Sequence, residues 1–148
     1  QIKKNQLRKN RKGMMVRIAI IGSRSYTNKR KIQDFIFKLK EKVGDNLEIV
    51  SGGQKDGADG YAKKVSLDFD IKYSEFPPQH YPHNIHCVNE SYNYGKPYRV
   101  WNYHKRNREI VEYCDNIVAF CTDGKITNGT KSALKYCEKA GKKHIIID

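Results

Sequence analysis

The strongest constraint on the fold is a regular alternation between short apolar runs and amphipathic helical stripes. Val16 to Ile21 is an apolar run, interrupted by Arg17 alone and rich in β-branched residues, which is typical of a strand covered on both faces. From Asn28 to Val43 the apolar residues recur at helical spacing, and Gly44 then favours a stop. Because strand and helix patterns continue to alternate along the chain, the sequence predicts βαβ units with a parallel sheet between helices.

The rest of the alternation completes one domain. Helices are predicted over 58–69, 100–114 and 129–140, and the other strands at Leu47–Val50, Ile71–Phe76, Asn116–Cys121 and His144–Ile147. We therefore predict an α/β fold over residues 14–148: a single Rossmann-like domain with an open parallel sheet of about five strands, helices on both faces and strand order 3-2-1-4-5. The two central strands should bury Ile18, Ile20, Val118 and Phe120.

Two segments depart from this pattern. Residues 1–13 form a basic N-terminal arm with six cations and no acid: Lys3, Lys4, Arg8, Lys9, Arg11 and Lys12. With a net charge of +13 on the whole chain, the arm favours polyanions such as nucleic acid, although a solubilising tail explains it equally well. Around 77–100 there is no clear period, so we predict an irregular insertion or lid.

Several classes of protein and site are disfavoured. No apolar run approaches the roughly 18 to 20 residues of a membrane span, and no signal peptide is recognisable, so we expect a soluble cytoplasmic protein without a membrane partner. A homo-oligomer is compatible with the sequence. His80, His83, His86 and Cys87 have metal-like spacing, but Pro82 interrupts them and no second ligand cluster follows; we therefore predict neither a metal nor a cofactor.

Three loops at the predicted carboxyl ends of strands are rich in glycine and hydroxyl groups: Gly22–Tyr26, Ser51–Asp59 and Thr122–Thr130. In a doubly wound sheet such loops surround the ligand site where the strand order reverses, and glycine lets backbone N–H groups approach a phosphate. Neither G-x-G-x-x-G nor G-x-x-x-x-G-K-[ST] occurs, so ordinary NAD binding and P-loop hydrolysis are disfavoured.

One polar residue lies on an otherwise apolar helical stripe. Asn107 shares the stripe with Ile110 and Val111, and an inward polar side chain must find partners. Near the start of its helix it could reach the ligand site, with Arg106 supplying charge to a phosphate. A structural asparagine that bonds the backbone is the equally weighted alternative.

Four motifs occur in order: G-S-R-S, S-G-G-x-x-D-G-A-D-x-x-A, K-R-N-R-E-I-V and A-F-x-x-D-G-x-x-x-x-G-T. Through them the region from Met15 to the end resembles the SLOG superfamily, closest to its YspA-like branch; the superfamily includes lonely-guy phosphoribohydrolases and DprA-type DNA-processing proteins. The resemblance implies a nucleotide or nucleotide-derived ligand. It also implies the lining residues Gly22, Ser23, Arg24, Gly52, Gly53, Asp59, Arg106, Asn107, Asp123, Gly124, Gly129 and Thr130.

The chain departs from the lonely-guy pattern at the catalytic glutamate. That family has G-T-x-E-E, and here Ser132 and Ala133 occupy the positions of the acids. Cleavage of an N-glycosidic bond usually needs a carboxylate, for which the candidates are Asp123, Glu109 and Asp59, with Arg106 as a further catalytic candidate.

Three functions follow from these observations. The favoured one is binding of a nucleotide-derived ligand as a sensor or carrier. The first alternative is an enzyme, a nucleoside 5′-monophosphate N-glycosidic hydrolase, and the second is DprA-like binding of DNA or RNA. The missing glutamate favours binding over hydrolysis, and salt-dependent binding would distinguish a nucleic-acid partner.

Overall fold

The computed structural model describes residues 15–76 and 100–148. In chain order the main elements are β1 (Val16–Gly22), α1 (Lys29–Val43), β2 (Leu47–Ser51), α2 (Gly57–Asp68), β3 (Lys72–Glu75), α3 (Val100–Tyr113), β4 (Asn116–Phe120), α4 (Asn128–Lys139) and β5 (Lys143–Ile147). Short 3₁₀ turns follow α1 and β4. The predicted alternation is confirmed, and the boundaries differ by at most one residue.

The five strands form one parallel sheet in the order β3-β2-β1-β4-β5. Ile18 of β1 is in register with Ile49 of β2 on one side and with Asn116 of β4 on the other. This confirms the predicted α/β fold and strand order. Since all strands run the same way, their carboxyl ends and following loops meet at one edge, and the order reverses between β1 and β4.

The sheet buries apolar side chains on both faces because successive residues of a strand point to opposite sides. Ile18, Ile20, Val118 and Phe120 are at most 1% exposed and pack against α1 and α2, which confirms their predicted burial. On the other face Ala19, Val50 and Ala119 pack with Ile110 and Leu134 of α3 and α4. At roughly 25 cal/mol per Å² of buried apolar surface, these two cores are the main stabilising contribution.

A buried carboxylate, Glu48, pairs with partly exposed cations from the two neighbouring strands. Glu48 of β2 is fully buried; its Oε2 accepts hydrogen bonds from the Tyr113 hydroxyl at 2.6 Å and from the Ser74 hydroxyl at 2.8 Å. Its Oε1 lies 3.3 Å from Lys72 Nζ and 3.7 Å from Arg17 Nε. Burial alone would raise the pKa of Glu48, but the two hydrogen bonds and the Lys72 charge outweigh it and leave that pKa below its usual value.

Some predictions fall outside the described residues. They are the basic arm at 1–13, the irregular insertion around 77–100 and the group His80, His83, His86 and Cys87. Within 15–76 and 100–148, no cluster of histidine, cysteine or acidic side chains is arranged to hold a metal ion. No helix in those two ranges is long and apolar enough to cross a membrane. Cys114, Cys121 and Cys137 are buried free thiols.

Candidate functional site

A cleft of about 370 Å³ opens at the carboxyl edge of the sheet, where the strand order reverses. The β1–α1 loop, the β2–α2 loop, α3 and the start of α4 enclose it. Its lining consists of Ile21, Gly22, Ser23, Arg24, Ser25, Gly52, Gln54, Asp59, Arg106, Asn107, Ile110, Thr127, Gly129, Thr130 and Ala133. This is the position at which open α/β sheets bind ligands.

Hydroxyl groups organise the β1–α1 loop. Ser23 donates its backbone N–H to the Phe120 carbonyl at 3.1 Å, which ties the loop to β4. The Ser23 hydroxyl accepts the backbone N–H of Ser25 at 3.1 Å and lies 2.7 Å from the Ser25 hydroxyl. The Ser25 hydroxyl in turn lies 3.3 Å from that of Thr122. The loop therefore presents hydrogen-bonding side chains to the cleft in a fixed arrangement.

Gly57 lets α2 begin directly against this loop. Its φ of +71° lies in the left-handed region, and a Cβ there would overlap the Ser23 carbonyl and approach Arg24 Cα to 2.6 Å. The next residue, Ala58, donates its backbone N–H to the Ser23 carbonyl at 3.3 Å. Glycine at this position thus sets the distance between two of the loops that line the cleft.

Arg106 connects the parts of the inner wall of the cleft, which is formed by α3 and the ends of β2 and β3. Its Nη1 donates to the Gly52 carbonyl at 2.6 Å and to the Phe76 carbonyl at 3.4 Å, and its Nε donates to Asn107 Oδ1 at 2.9 Å. The side chain is 8% exposed. Arg106 therefore connects α3 to the ends of β2 and β3, and much of its donor capacity is directed to the protein itself.

Asp59 is the carboxylate on the inner side of the cleft. It is 6% exposed, and its Oδ2 accepts the backbone N–H of Gln54 at 3.4 Å. Burial raises the pKa of Asp59 to about 6, although the positive charge of Arg106 and the backbone N–H groups of Gln54 and Gly52 act in the opposite direction. Among the lining residues it is the one carboxylate, and its hydrogen bond orders the β2–α2 loop.

Asn107 lies in the middle of α3, not near its start as the sequence suggested. Its Nδ2 donates to the Gly129 carbonyl at 3.2 Å, which joins α3 to the first turn of α4. The Thr127 hydroxyl accepts the Thr130 backbone N–H at 3.4 Å and caps that helix. The bond to Gly129 is the backbone contact that the structural alternative for Asn107 required, and the side chain also faces the cleft.

Arg24 supplies positive charge at the mouth of the cleft. It is exposed, and it makes no ion pair with any carboxylate in the described part of the chain. The first turn of α4, with Gly129 and Thr130, faces the same space, and a helix start favours negative charge. Both features match an anionic group on a ligand.

The structure brings together nine of the residues that the sequence singled out as ligand-binding: Gly22, Ser23, Arg24, Gly52, Asp59, Arg106, Asn107, Gly129 and Thr130. Gly53, Gly124, Asp123 and Glu109 do not line the cleft, and Asp123 is exposed in the 3₁₀ turn after β4. Of the four catalytic candidates, Asp59 and Arg106 line the cleft, whereas Asp123 and Glu109 do not.

Sequence reasoning missed six lining residues: Ile21, Ser25, Gln54, Ile110, Thr127 and Ala133. Ser25, Gln54 and Thr127 lie inside the three loops already recognised, so a complete reading of those loops would have included them. Ile21, Ile110 and Ala133 belong to apolar stripes and carry no chemical signal. The two residues at the expected glutamate positions face different surroundings. Ala133 lines the cleft, whereas Ser132 lies outside the cleft with its hydroxyl 2.8 Å from His104 Nδ1.

The solved structures that share this fold include two whose names refer to the molybdenum cofactor. One is the molybdenum cofactor binding protein from the phototrophic bacterium Rippkaea orientalis, at 19% identity and a TM-score of 0.64, covering 90% of this chain and 77% of that one. The other is the molybdenum cofactor carrier protein from Chlamydomonas reinhardtii, at 16% identity and a TM-score of 0.60, covering 89% and 76%. No curated protein matches the chain significantly.

Comparison of the sequence with a protein-family model identifies the family. The model of the circularly permutated YpsA SLOG family matches residues 49–148, which run from within β2 to the end of β5 and include three of the four segments that form the cleft. This match confirms the SLOG superfamily that the ordered motifs indicated. The chain belongs to the circularly permutated YpsA SLOG family.

Proposed function

We propose that this protein binds a small phosphate-bearing ligand in the cleft and acts as its carrier or sensor. The observation that supports the proposal is the cleft itself, which lies at the switch point of the sheet and combines ordered hydroxyl groups, a helix start and the cation Arg24. Its volume of about 370 Å³ falls within the range of about 300 to 1,000 Å³ that is usual for small-ligand sites.

Two ligand classes are candidates. The motif resemblance favours a nucleotide or nucleotide derivative. The two solved structures compared above are named for the molybdenum cofactor, one as a binding protein and one as a carrier, which favours that cofactor and a carrying role. Both ligands would use the same cleft, so one binding experiment can compare them.

The positions of the two arginines indicate different roles. Arg106 is buried and hydrogen-bonded to two carbonyl groups and Asn107, so its main role is to position the inner wall. Arg24 is exposed at the mouth of the cleft and forms no ion pair with a carboxylate in the described part of the chain. Its guanidinium is therefore available to bind a phosphate. We therefore assign the phosphate contact to Arg24 ahead of Arg106, which the sequence alone had favoured.

Calorimetric titration tests this assignment. The titrants are AMP, ADP and inorganic phosphate, and molybdenum uptake after anaerobic incubation with the molybdenum cofactor is measured by mass spectrometry. Arg24→Ala should weaken binding of the preferred ligand by about 1.5 to 3 kcal/mol, the usual contribution of a charge-assisted hydrogen bond. Arg30→Ala removes an equivalent exposed cation from the start of α1, outside the cleft lining, and should leave affinity unchanged. Equal effects of the two substitutions, or no binding of any titrant, would contradict the proposal.

The hydrolase alternative depends on a carboxylate able to assist bond cleavage. Asp59 is the carboxylate among the lining residues, and it is buried and hydrogen-bonded to the Gln54 backbone. We expect slow or absent release of free base from nucleoside 5′-monophosphates. Chromatography of overnight incubations measures this; release of base that Asp59→Asn or Asp123→Asn abolishes would establish the enzyme and identify its acid.

A further inference from the structure

A second depression lies on the outer side of the α3–α4 layer. It has a volume of about 430 Å³ and shares no lining residue with the cleft. His104 of α3 forms one side, and the exposed face of α4 forms the other with Lys131, Lys135, Lys139 and Tyr136. We call this depression the lysine groove. No part of the proposed ligand-binding function uses it.

The three lysines give the groove a single sign of charge. They are four residues apart along α4, so they follow one helix face at intervals of about 6 Å over a length of about 12 Å. No acidic residue lines the groove, and none of the three lysines forms an ion pair with a carboxylate in the part of the chain that the structure describes. Like charges at this spacing cost the helix stability, and a bound polyanion would offset that cost.

Two rings lie beside this row of charges. His104 is held by its 2.8 Å contact between Nδ1 and the Ser132 hydroxyl, and both His104 and Tyr136 are partly exposed in the groove. A basic groove with aromatic faces alongside it is the combination that binds single-stranded nucleic acid, through backbone phosphates and stacked bases. The net charge of +13 on the chain adds a long-range attraction for such a ligand.

We propose that the lysine groove binds a single-stranded nucleic acid, with Lys131, Lys135 and Lys139 contacting successive backbone phosphates and the rings of His104 and Tyr136 contacting bases. A linear row of cations matches a linear polyanion better than it matches the scattered carboxylates of a protein surface. The site is separate from the cleft, so it can be lost without loss of small-ligand binding.

The test compares two triple variants of the full chain by fluorescence anisotropy with labelled 20-nucleotide oligo(U) and oligo(dT). The groove variant is Lys131→Ala, Lys135→Ala, Lys139→Ala. The control variant, Arg30→Ala, Lys38→Ala, Lys64→Ala, makes the same change in net charge at exposed positions of α1 and α2. Each phosphate contact with a single strand contributes about 0.7 to the slope of log K against log salt, so the groove variant should lose about 2 from that slope and bind about tenfold or more weakly at 0.1 M salt.

The outcomes distinguish the alternatives. Equal slopes and affinities for the two variants would overturn the proposal. The proposal would also be overturned if the three lysines were needed for binding of polyglutamate but not for binding of the oligonucleotides, because the groove would then be a site for an acidic protein. A preference for oligo(U) would indicate RNA as the ligand, and a preference for oligo(dT) would indicate DNA. Equal melting temperatures show that both variants fold, and substitution of the three lysines by arginine should restore the slope.

Discussion

Replacement of Asp59 by asparagine tests the electrostatics of the cleft through the pH dependence of stability. The pKa of Asp59 is about 6 in the folded protein against an ordinary value of 3.8, because burial opposes ionisation more strongly than Arg106 favours it. At 1.36 kcal/mol per pKa unit, this difference corresponds to about 3 kcal/mol. Asparagine keeps the shape of the side chain and an oxygen for the Gln54 N–H, and it removes the ionisation.

The sign follows from the proton balance. Below pH 3.8 Asp59 is protonated in the folded and the unfolded chain, and its titration has no effect on stability. Between pH 3.8 and 6 the unfolded chain loses this proton while the folded chain retains it, so the Asp59 contribution to stability falls as pH rises and then stays constant. The Asp59→Asn variant should therefore gain about 3 kcal/mol in unfolding free energy relative to the parent between pH 3.5 and pH 7.

Urea denaturation at half-unit intervals of pH measures this difference directly, because the titrations of all other groups cancel to first order between variant and parent. Asp68→Asn removes a carboxylate from an exposed position on the same helix and controls for net charge. A difference that shrinks or changes sign as pH rises would show that the attraction of Arg106 for Asp59 outweighs burial. In that case the inner wall would be a stabilising ion pair, and our account of the cleft would be wrong.

Two further substitutions test individual contacts. Gly57→Ala should destabilise the protein by at least about 1 kcal/mol more than Gly44→Ala in urea denaturation, since both glycines have positive φ but only Gly57 faces atoms within 4 Å; equal losses would refute the close approach. Tyr113→Phe should cost about 1.5 to 3 kcal/mol at pH 7 by removing the donor to Glu48. Because the pKa of Glu48 is lowered in the folded state, its contribution is present above the ordinary pKa and disappears as pH falls through the folded value, so the cost of Tyr113→Phe should shrink in acid. A cost independent of pH would contradict this.

The fold could be predicted from the sequence because the strand patterns, the helix patterns and their alternation all indicate the same α/β fold. The β-branched run at Val16–Ile21, apart from Arg17, favours a strand buried on both faces, and the helical stripe ending at Val43 needs a sheet to cover it. With parallel strands and right-handed crossovers few topologies remain, and the predicted order 3-2-1-4-5 is the observed one. Exact boundaries, such as the start of α4 at Asn128, depend on the Thr127 cap and were missed by one residue.

The outline of the cleft was also accessible, since loops that follow parallel strands must meet at one edge of the sheet. The roles of individual residues were not. Arg106 and Arg24 are both arginines in motifs, and nothing in a linear sequence tells that one is buried against the Gly52 carbonyl while the other is exposed at the mouth. Likewise, Ser132 and Ala133 are neighbours in the chain but face different sides of α4, one the lysine groove and the other the cleft.

The sequence by itself determined the class of fold, the central strands, the edge of the sheet at which the cleft lies and the absence of the expected glutamate, because these follow from periodicity and from residue identity. Tertiary structure alone decided which charges are paired and which meet solvent. It brought Asp59, Arg106 and Gly52 together from separate elements and set the pKa of Asp59 through burial. It also grouped His104 with three lysines of α4. Burial and electrostatic pairing are properties of packed neighbours, and such neighbours are distant along the chain.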